Sequence, residues 1–348
     1  MSAHTSTRRR FGFALYMALT TAYLAWRALF SINPEAPAYA WSFFALEVYA
    51  CLFSIVFYAT ILDRTRRASP PPLEGLEVDV FICTYNEAIP LLRQTVRRAM
   101  AMDYPHRTWL LDDGNRPQAR ALAEELGCGY FARTRNEHFK AGNLNHALSK
   151  TAGDLVVVLD ADHLVRKEFL RRLVGHFADP QVAVVQTPQV FYNVDSFQHH
   201  LDARRGRLWH EGAIFHHAIQ PGADRWNAAF FVGTGAILRR SALEQIGGFA
   251  TGSVTEDAFT CMRLHAAGFR SVYHDEPLAY LMAPESLLQY LVQRLRWGQG
   301  SMQILRLENP LWRPGLTLCQ RLVYFVALAS FAQALVHLAY YLAPAIFL

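Results

Sequence analysis

The chain has 348 residues, is 52% hydrophobic, carries a net charge of +5 and contains five cysteines. Its mean hydropathy of +0.07 is too high for an ordinary soluble protein and too low for a bundle lying wholly in a membrane, so the apolar residues must be concentrated. The basic excess gathers beside apolar segments, where anionic lipid headgroups account for it and nucleic acid is not needed; the cysteines lie far apart without a CxxC pair, which excludes a disulfide framework and fits a reduced compartment.

Residues 11–30 are apolar except for Arg27, and residues 39–62 except for Glu47. Each is long enough to cross a hydrocarbon core of ~30 Å. Arg8, Arg9 and Arg10 precede the first segment, Arg64, Arg66 and Arg67 follow the second, and the loop between has no Lys or Arg. The positive-inside rule then puts the N-terminus and everything after Leu62 in the cytoplasm, as part of a multi-pass protein of the inner (plasma) membrane. A competing reading makes the first segment a signal peptide cut after residues 36–38, and the second segment would still return the chain to the cytoplasm. Residues 63–78 read as a basic, Pro-rich linker.

Strand and helix patterns then alternate. Residues 79–83 read as a strand and 87–102 as an amphipathic helix with Ile89, Leu92, Val96 and Met100 on one side. The alternation continues with strands 109–111, 130–132, 155–159 and 182–186 and helices 116–126, 141–151 and 167–177. This is the pattern of an α/β domain, a mostly parallel sheet with helices on both faces, expected over 79–285. Such sheets bind ligands at the carboxyl ends of their strands, and Asp112, Asp113, Asp160 and Asp162 stand there. Residues 190–280 are less regular. They contain His199, His200, His210, His216 and His217, which read as helix-face and interface residues rather than a metal tract. Residues 286–307, in a stretch to 320, are amphipathic, interrupted by Gly298 and Gly300, and suited to the membrane surface. Residues 324–348 read as a third membrane helix.

Four clusters carry chemistry. Asp160 and Asp162, two apart at a strand end, point the same way and are both ionised at neutral pH. A hard divalent cation, Mg²⁺ or Mn²⁺, that also takes diphosphate oxygens would hold them together; the plain alternative is a solvated turn with Asp162 capping the next helix. Lys140 opens a helix in KAGN, a natural place for phosphate, or simply a salt-bridged helix start. Glu256 and Asp257 sit together without an adjacent base, so one could have a raised pKa and act as general base, or Thr255 and Asp257 could cap the helix that follows. Gln293, Arg296 and Trp297 share one helical face at i, i+3 and i+4, which suits phosphate, sugar hydroxyls and a stacked ring, or an interfacial Trp–Arg pair.

The stretches FICTYNE (81–87), LDDGN (111–115), KAGNLN (140–145), LDADH (159–163), VQTPQVFYN (185–193), FFVGTGAILRR (230–240), VTEDAF (254–259) and QRLRWGQG (293–300) follow one another in the order of the processive family 2 glycosyltransferases. Over residues 40–348 the chain resembles the bacterial cellulose synthase catalytic subunits of that family. The resemblance implies a GT-A domain on membrane helices, a UDP-sugar donor, Mg²⁺ or Mn²⁺ bound by Asp160 and Asp162, and a β-glucan acceptor. It places Thr84, Tyr85, Glu87, Asp112 and Asp113 near the nucleotide, and Lys140 at the diphosphate. Asp257 becomes the base of an inverting displacement, with Asp113 and Asp160 completing the catalytic set. Gln293, Arg296 and Trp297 bind UDP and the acceptor end, and Phe231, Gly233, Thr234 and Glu256 line the acceptor.

The pattern also departs from the family. Members continue into further helices, a gating loop and, in cellulose synthases, a cyclic-di-GMP-binding domain; here the expectation is a truncated product, or one whose translocation path comes from periplasmic or membrane synthase subunits or self-association. UDP-glucose is the expected donor, with UDP-N-acetylglucosamine or a lipid acceptor as the alternative. A third reading, an inactive nucleotide-sugar-binding subunit, would be marked by loss of the base or of the paired aspartates, and neither is lost.

Overall fold

The computed structural model describes residues 3–35, 37–193 and 211–347. His199, His200 and His210 lie outside them. The first helix runs Ala3–Trp26 and continues as a π-helical turn, Arg27–Ser31; the second is Pro37–Leu62. The spans Thr7–Ser31 and Pro37–Leu62 are long and apolar enough to cross a membrane. A lone carboxylate is costly in such a segment, and Glu47 is not alone: Arg27 Nε donates to it at 2.9 Å and Tyr23 OH at 2.5 Å.

The helix pair is fastened to the domain. Asp63 accepts from Arg10 of the first helix and from Arg225 of the domain. Gly222 lies so close to the end of the second helix that a Cβ there would sit 2.0 Å from Thr60 O. The expected linker is likewise laid on the domain, through Arg67 to Asp224 at 2.8 Å and Tyr104 OH to Leu73 O at 2.7 Å.

The strands are β1 Val78–Thr84, β2 Arg107–Asp112, β3 Gly129–Ala132, β4 Leu155–Asp160, β5 Leu164–Val165, β6 Val182–Gln186, β7 Gln189–Phe191, β8 Ala236–Arg239, β9 Arg270–Tyr273 and β10 Ala279–Leu281. Seven form one sheet in the order β3-β2-β1-β4-β8-β6-β9, and β5-β10-β7 form a small second sheet. All neighbours in the large sheet are parallel except β8, which runs antiparallel to β4 and β6. The apolar run of β4 is explained by coverage on both faces: Leu155, Val157 and Leu159 join one core, Val156 and Val158 the other.

Two expectations are corrected at the C-terminal side. Residues 324–348 are not one helix. Leu318–Ala329 and Gln333–Phe347 are separate, with a 69° bend between Leu318–Ala329 and Gln333–Ala343. Part of the first belongs to the domain core: Tyr324 is 1% exposed, packed with Leu328, Phe259 and Met262, and its OH lies 2.8 Å from His265 Nδ1, while Leu318 stays 71% exposed and the bent pair together is apolar enough for one broken span. Nor do Gly298 and Gly300 interrupt the preceding segment, which is one helix, Leu287–Leu307.

Candidate active site

Register brings the acidic strand ends together. Thr84 is paired with Asp112 across β1 and β2, and Cys83 with Asp160 across β1 and β4. Because β8 runs the other way, its beginning meets the same edge: Gly235 N donates to Val158 O at 2.9 Å and Asp160 N to Thr234 Oγ1 at 3.0 Å.

One wall is a fixed loop. Glu87 accepts from Thr84 Oγ1 at 2.7 Å and from Tyr85 N at 2.8 Å, leaving the Tyr85 ring exposed. Asp112 is fully buried and accepts from Gly114 N, Arg116 N, Arg116 Nε and Tyr130 OH. Its oxygens are therefore filled by the chain itself. Arg116, in the sequence only the start of a helix, also donates to Thr84 Oγ1 at 2.6 Å and to Glu87 O at 2.7 Å. Asp113 is gripped by Arg133 through two bonds, 2.7 and 2.8 Å. Burial raises the Asp113 carboxyl above its usual range, and the guanidinium offsets only part of that. Arg133 further donates to Glu137 O and Phe139 O, shaping the turn before the helix Phe139–Leu148. In that turn His138 and Phe139 have φ of +61° and +49°, uncommon for residues other than glycine. Gly142 is required by it, since a Cβ would come 2.0 Å from Glu137 O.

The turn delivers Lys140 to the centre. Its Nζ donates to Asp160 Oδ1 and, at 2.8 Å, to Gly233 O. Burial alone would lower this amine's pKa; Asp160, with Cys83 and Glu256, raises it instead. A Cβ at Gly233, where φ is +87°, would lie 3.1 Å from Asp257 Oδ2 and 3.8 Å from Lys140 Nζ, so the base candidate stands beside the ammonium. Glu256 and Asp257 open the helix Glu256–Ala266; Thr255 makes no side-chain cap, and Asp257 Oδ1 accepts from Ala258 N at 2.8 Å. Burial and the neighbouring Asp257 raise the Glu256 carboxyl to about 7. Burial raises that of Asp257 to about 6, against the pull of the Ala258 N–H and Lys140.

Asp162 faces the same edge from the loop before β5. It accepts from Met282 N at 3.2 Å and lies 3.4 Å from His163 Nδ1. Burial would raise its carboxyl, but His163 and the Met282 N–H outweigh it and lower the pKa below the usual range. With Asp160 two-fifths exposed and Asp162 about a quarter, the pair fits a hard cation that keeps open positions for phosphate oxygens. No group of three or more His, Cys, Asp or Glu suited to a metal occurs among the described residues.

The segment 230–235 is set by a residue that sequence reasoning left as a strand end. Gln186, fully buried, donates to Thr187 O, Thr234 O and Gly235 O and accepts from Val232 N at 3.0 Å. It leaves Phe231 facing inward, 0% exposed against Phe249, so this ring serves the core and does not line an acceptor channel. Gln293, Arg296 and Trp297 are on the helix Leu287–Leu307, one to two turns before Gly300, which meets Thr255. The contacts of this helix with the turn before Glu256 come from Gly300 and Gln303, and Gln293, Arg296 and Trp297 make no hydrogen bond to the Lys140–Asp160 centre among the described residues. Arg294 stacks over Tyr290 and Trp297, its Cζ 4.8 and 4.4 Å from the ring centroids.

Comparison with known proteins gives the family and the fold. Residues 155–348 match glycosyl transferase family group 2. The chain is 42% identical over 310 residues to the UDP-forming cellulose synthase 1 catalytic subunit of Komagataeibacter xylinus, covering 87% of this chain and 42% of that protein. It is 39% identical over 337 residues to the cellulose synthase catalytic subunit of Pseudomonas fluorescens, covering 94% and 46%. It thus spans less than half the length of these curated relatives. Among solved structures, a mannosyltransferase from Pyrobaculum calidifontis in complex with GDP-Man and Mn²⁺ superposes with a TM-score of 0.60 at 22% identity, over 88% of this chain and 89% of that one.

Proposed function

Because the chain belongs to glycosyl transferase family group 2, we propose that it is a membrane-bound, inverting enzyme that adds glucose from UDP-glucose to a growing β-linked glucan. The observation that carries this reading is the position of Asp257, its carboxyl raised to about 6, beside the Lys140 that is bonded to Asp160. A base and a diphosphate-sized cluster of charge at one strand edge are what a single displacement needs. The identity to UDP-forming cellulose synthases supports the donor and the product.

In this mechanism Asp257 takes the proton of the acceptor hydroxyl. The acceptor oxygen attacks the anomeric carbon from the side opposite UDP, the bond from that carbon to the phosphate oxygen breaks, and an α-linked donor gives a β-linkage. Lys140 turns toward the departing diphosphate, and Arg296 supplies a second cation from the neighbouring helix. A bound Mg²⁺ or Mn²⁺, held by Asp160 and Asp162, would take phosphate oxygens and offset the charge of the leaving UDP. Tyr85 offers an exposed ring for the uracil, on a loop that Arg116 keeps rigid. Trp297 offers a ring for the acceptor end.

The test uses membranes bearing the chain, radiolabelled UDP-glucose and Mg²⁺, with EDTA and Asp257→Asn as controls. Label in an insoluble product digestible by a β-1,4-glucanase, lost in both controls, is expected. Label carried by UDP-N-acetylglucosamine instead, or a product resistant to the glucanase, would refute the donor or the linkage.

A further inference from the structure

At the basic end of the two apolar helices lies a cleft of about 390 Å³, within the range of roughly 300–1,000 Å³ found for small-molecule sites. Both helices and the domain contribute to it. Phe13 and Tyr16 of the first helix face Tyr58 and Ile61 of the second, and the Tyr16 and Tyr58 rings meet edge to face at 5.3 Å. Gly12 also borders the space, and a Cβ there would meet nothing within 4 Å. Two arginines, Arg9 and Arg64, line the same cleft.

Neither arginine has an ion-pair partner within 4 Å among the described residues, and Asp275 reaches Arg64 only at longer range. Asp63, the adjacent carboxylate, is shared by Arg10 and Arg225. Asp275 faces His217 at 3.4 Å. Among the described residues no carboxylate comes within 4 Å of Arg9 or Arg64; Arg64 Nη1 donates only to the His217 carbonyl, at 2.8 Å. Burial, and then the cations of Arg9 and Arg66, lower the pKa of Arg64, against a smaller opposing pull from Asp275. An apolar, aromatic-walled cavity lined by two guanidinium groups that have no ion pair among the described residues suits a long-chain phosphate ester. Arginine binds phosphate by a planar fork.

We propose that this cleft binds one anionic phospholipid, its phosphate between Arg9 and Arg64 and an acyl chain against Phe13, Tyr16, Tyr58 and Ile61. The inference rests on the reading that the two helices cross a bilayer. Because Arg64 also holds the domain through His217, the bound lipid becomes part of the joint between membrane and catalytic domain.

The test uses the full chain in detergent micelles and native mass spectrometry, with phosphatidylglycerol, phosphatidylcholine and glycerol phosphate as probes. One phosphatidylglycerol is expected to bind in preference to phosphatidylcholine. Binding should weaken about tenfold or more in Arg9→Gln/Arg64→Gln. It should weaken similarly in Gly12→Leu, which fills the cleft and leaves every charge in place. Arg8→Gln, which removes a charge outside the cleft, should bind as the parent does. UDP binding in each variant checks that the domain is folded. Unchanged phosphatidylglycerol binding in Gly12→Leu would mean diffuse attraction to the basic flank and would overturn the site. Equal binding of the two lipids, or equal binding of glycerol phosphate, would overturn it as well. Membranes washed with carbonate test the underlying reading separately: a chain released by the wash does not span the bilayer, whereas a retained chain without lipid selectivity refutes the cleft alone.

Discussion

Gly300 stands against Thr255 with no room for a side chain: a Cβ at Gly300 would lie 2.3 Å from Thr255 Oγ1 and 2.8 Å from its Cβ. Two bonds hold the approach, from Ser253 Oγ to Gly300 O at 3.0 Å and from Val254 N to Gln303 Oε1 at 2.9 Å. The helix bearing Gln293, Arg296 and Trp297 is thus keyed to the turn that presents Glu256 and Asp257. Gly300→Ala should push the two apart, because a β-branched Thr255 cannot swing its Cβ away. The expected result is a loss of turnover of about 10²-fold with UDP binding retained, read by steady-state rates beside isothermal titration.

The raised carboxyls set a pH limb. Asp257 acts as base only when ionised, so activity should fall as pH drops through about 6, with the protonation of Glu256 near 7 joining that limb. A pH profile of kcat/KM checks this. A limb near 4, the ordinary range of a carboxylate, would contradict the buried environment. Stability runs the opposite way. Folded-state pKa values above the unfolded ones give stabilisation that is complete below about 4 and lost as pH rises through 6 to 7.

Arg116 is expected to matter as much as any acidic residue. It ties Asp112, Thr84 and Glu87, and Asp112 has no solvent exposure. Arg116→Ala leaves that carboxylate buried with two backbone N–H groups and Tyr130, at a cost of about 3–5 kcal/mol for a broken buried pair. Thermal melting should show the loss, and residual enzyme should have a raised KM for the nucleotide sugar.

Gln186→Leu removes the clamp on residues 232–235 and leaves buried carbonyls unsatisfied, at about 1–3 kcal/mol each at most. Turnover should fall further than stability, since Gly233 and Thr234 carry the carbonyl and hydroxyl that meet Lys140 and Asp160. The ratio of kcat loss to melting shift, compared with that of a core variant such as Leu173→Ala, measures the difference.

What the sequence conveyed best were elements with local signals. Residues 182–186 form a strand with the expected bounds, and β4 ends at Asp160 as its apolar run suggested. The first two apolar helices were legible for the same reason. β8 was not: four residues with no visible period become a strand only because β4 and β6, far away in the chain, flank them. The segment 324–348 looked uniform by hydropathy, yet hydropathy cannot say whether Tyr324 faces lipid or a protein core. Among the candidate site residues, Asp112, Asp113, Asp160 and Asp162 stood out in the sequence as charge at strand ends, and Lys140, Glu256 and Asp257 as charge at helix starts. Arg116, Arg133 and Gln186 were not, because they act on backbone and on other side chains through contacts set by the fold. Phe231 was misread because a motif gives the position of a residue and not the side to which its ring turns.

Asp63 imposes an order in time. It accepts from Arg10, 53 positions earlier, and from Arg225, 162 positions later. At about 5–20 residues per second of synthesis, Arg10 is already waiting when Asp63 is made, while Arg225 follows roughly 10–30 s afterwards. The helix hairpin can therefore close its basic end before most of the domain exists. The domain, once folded, docks onto a mount that is already set.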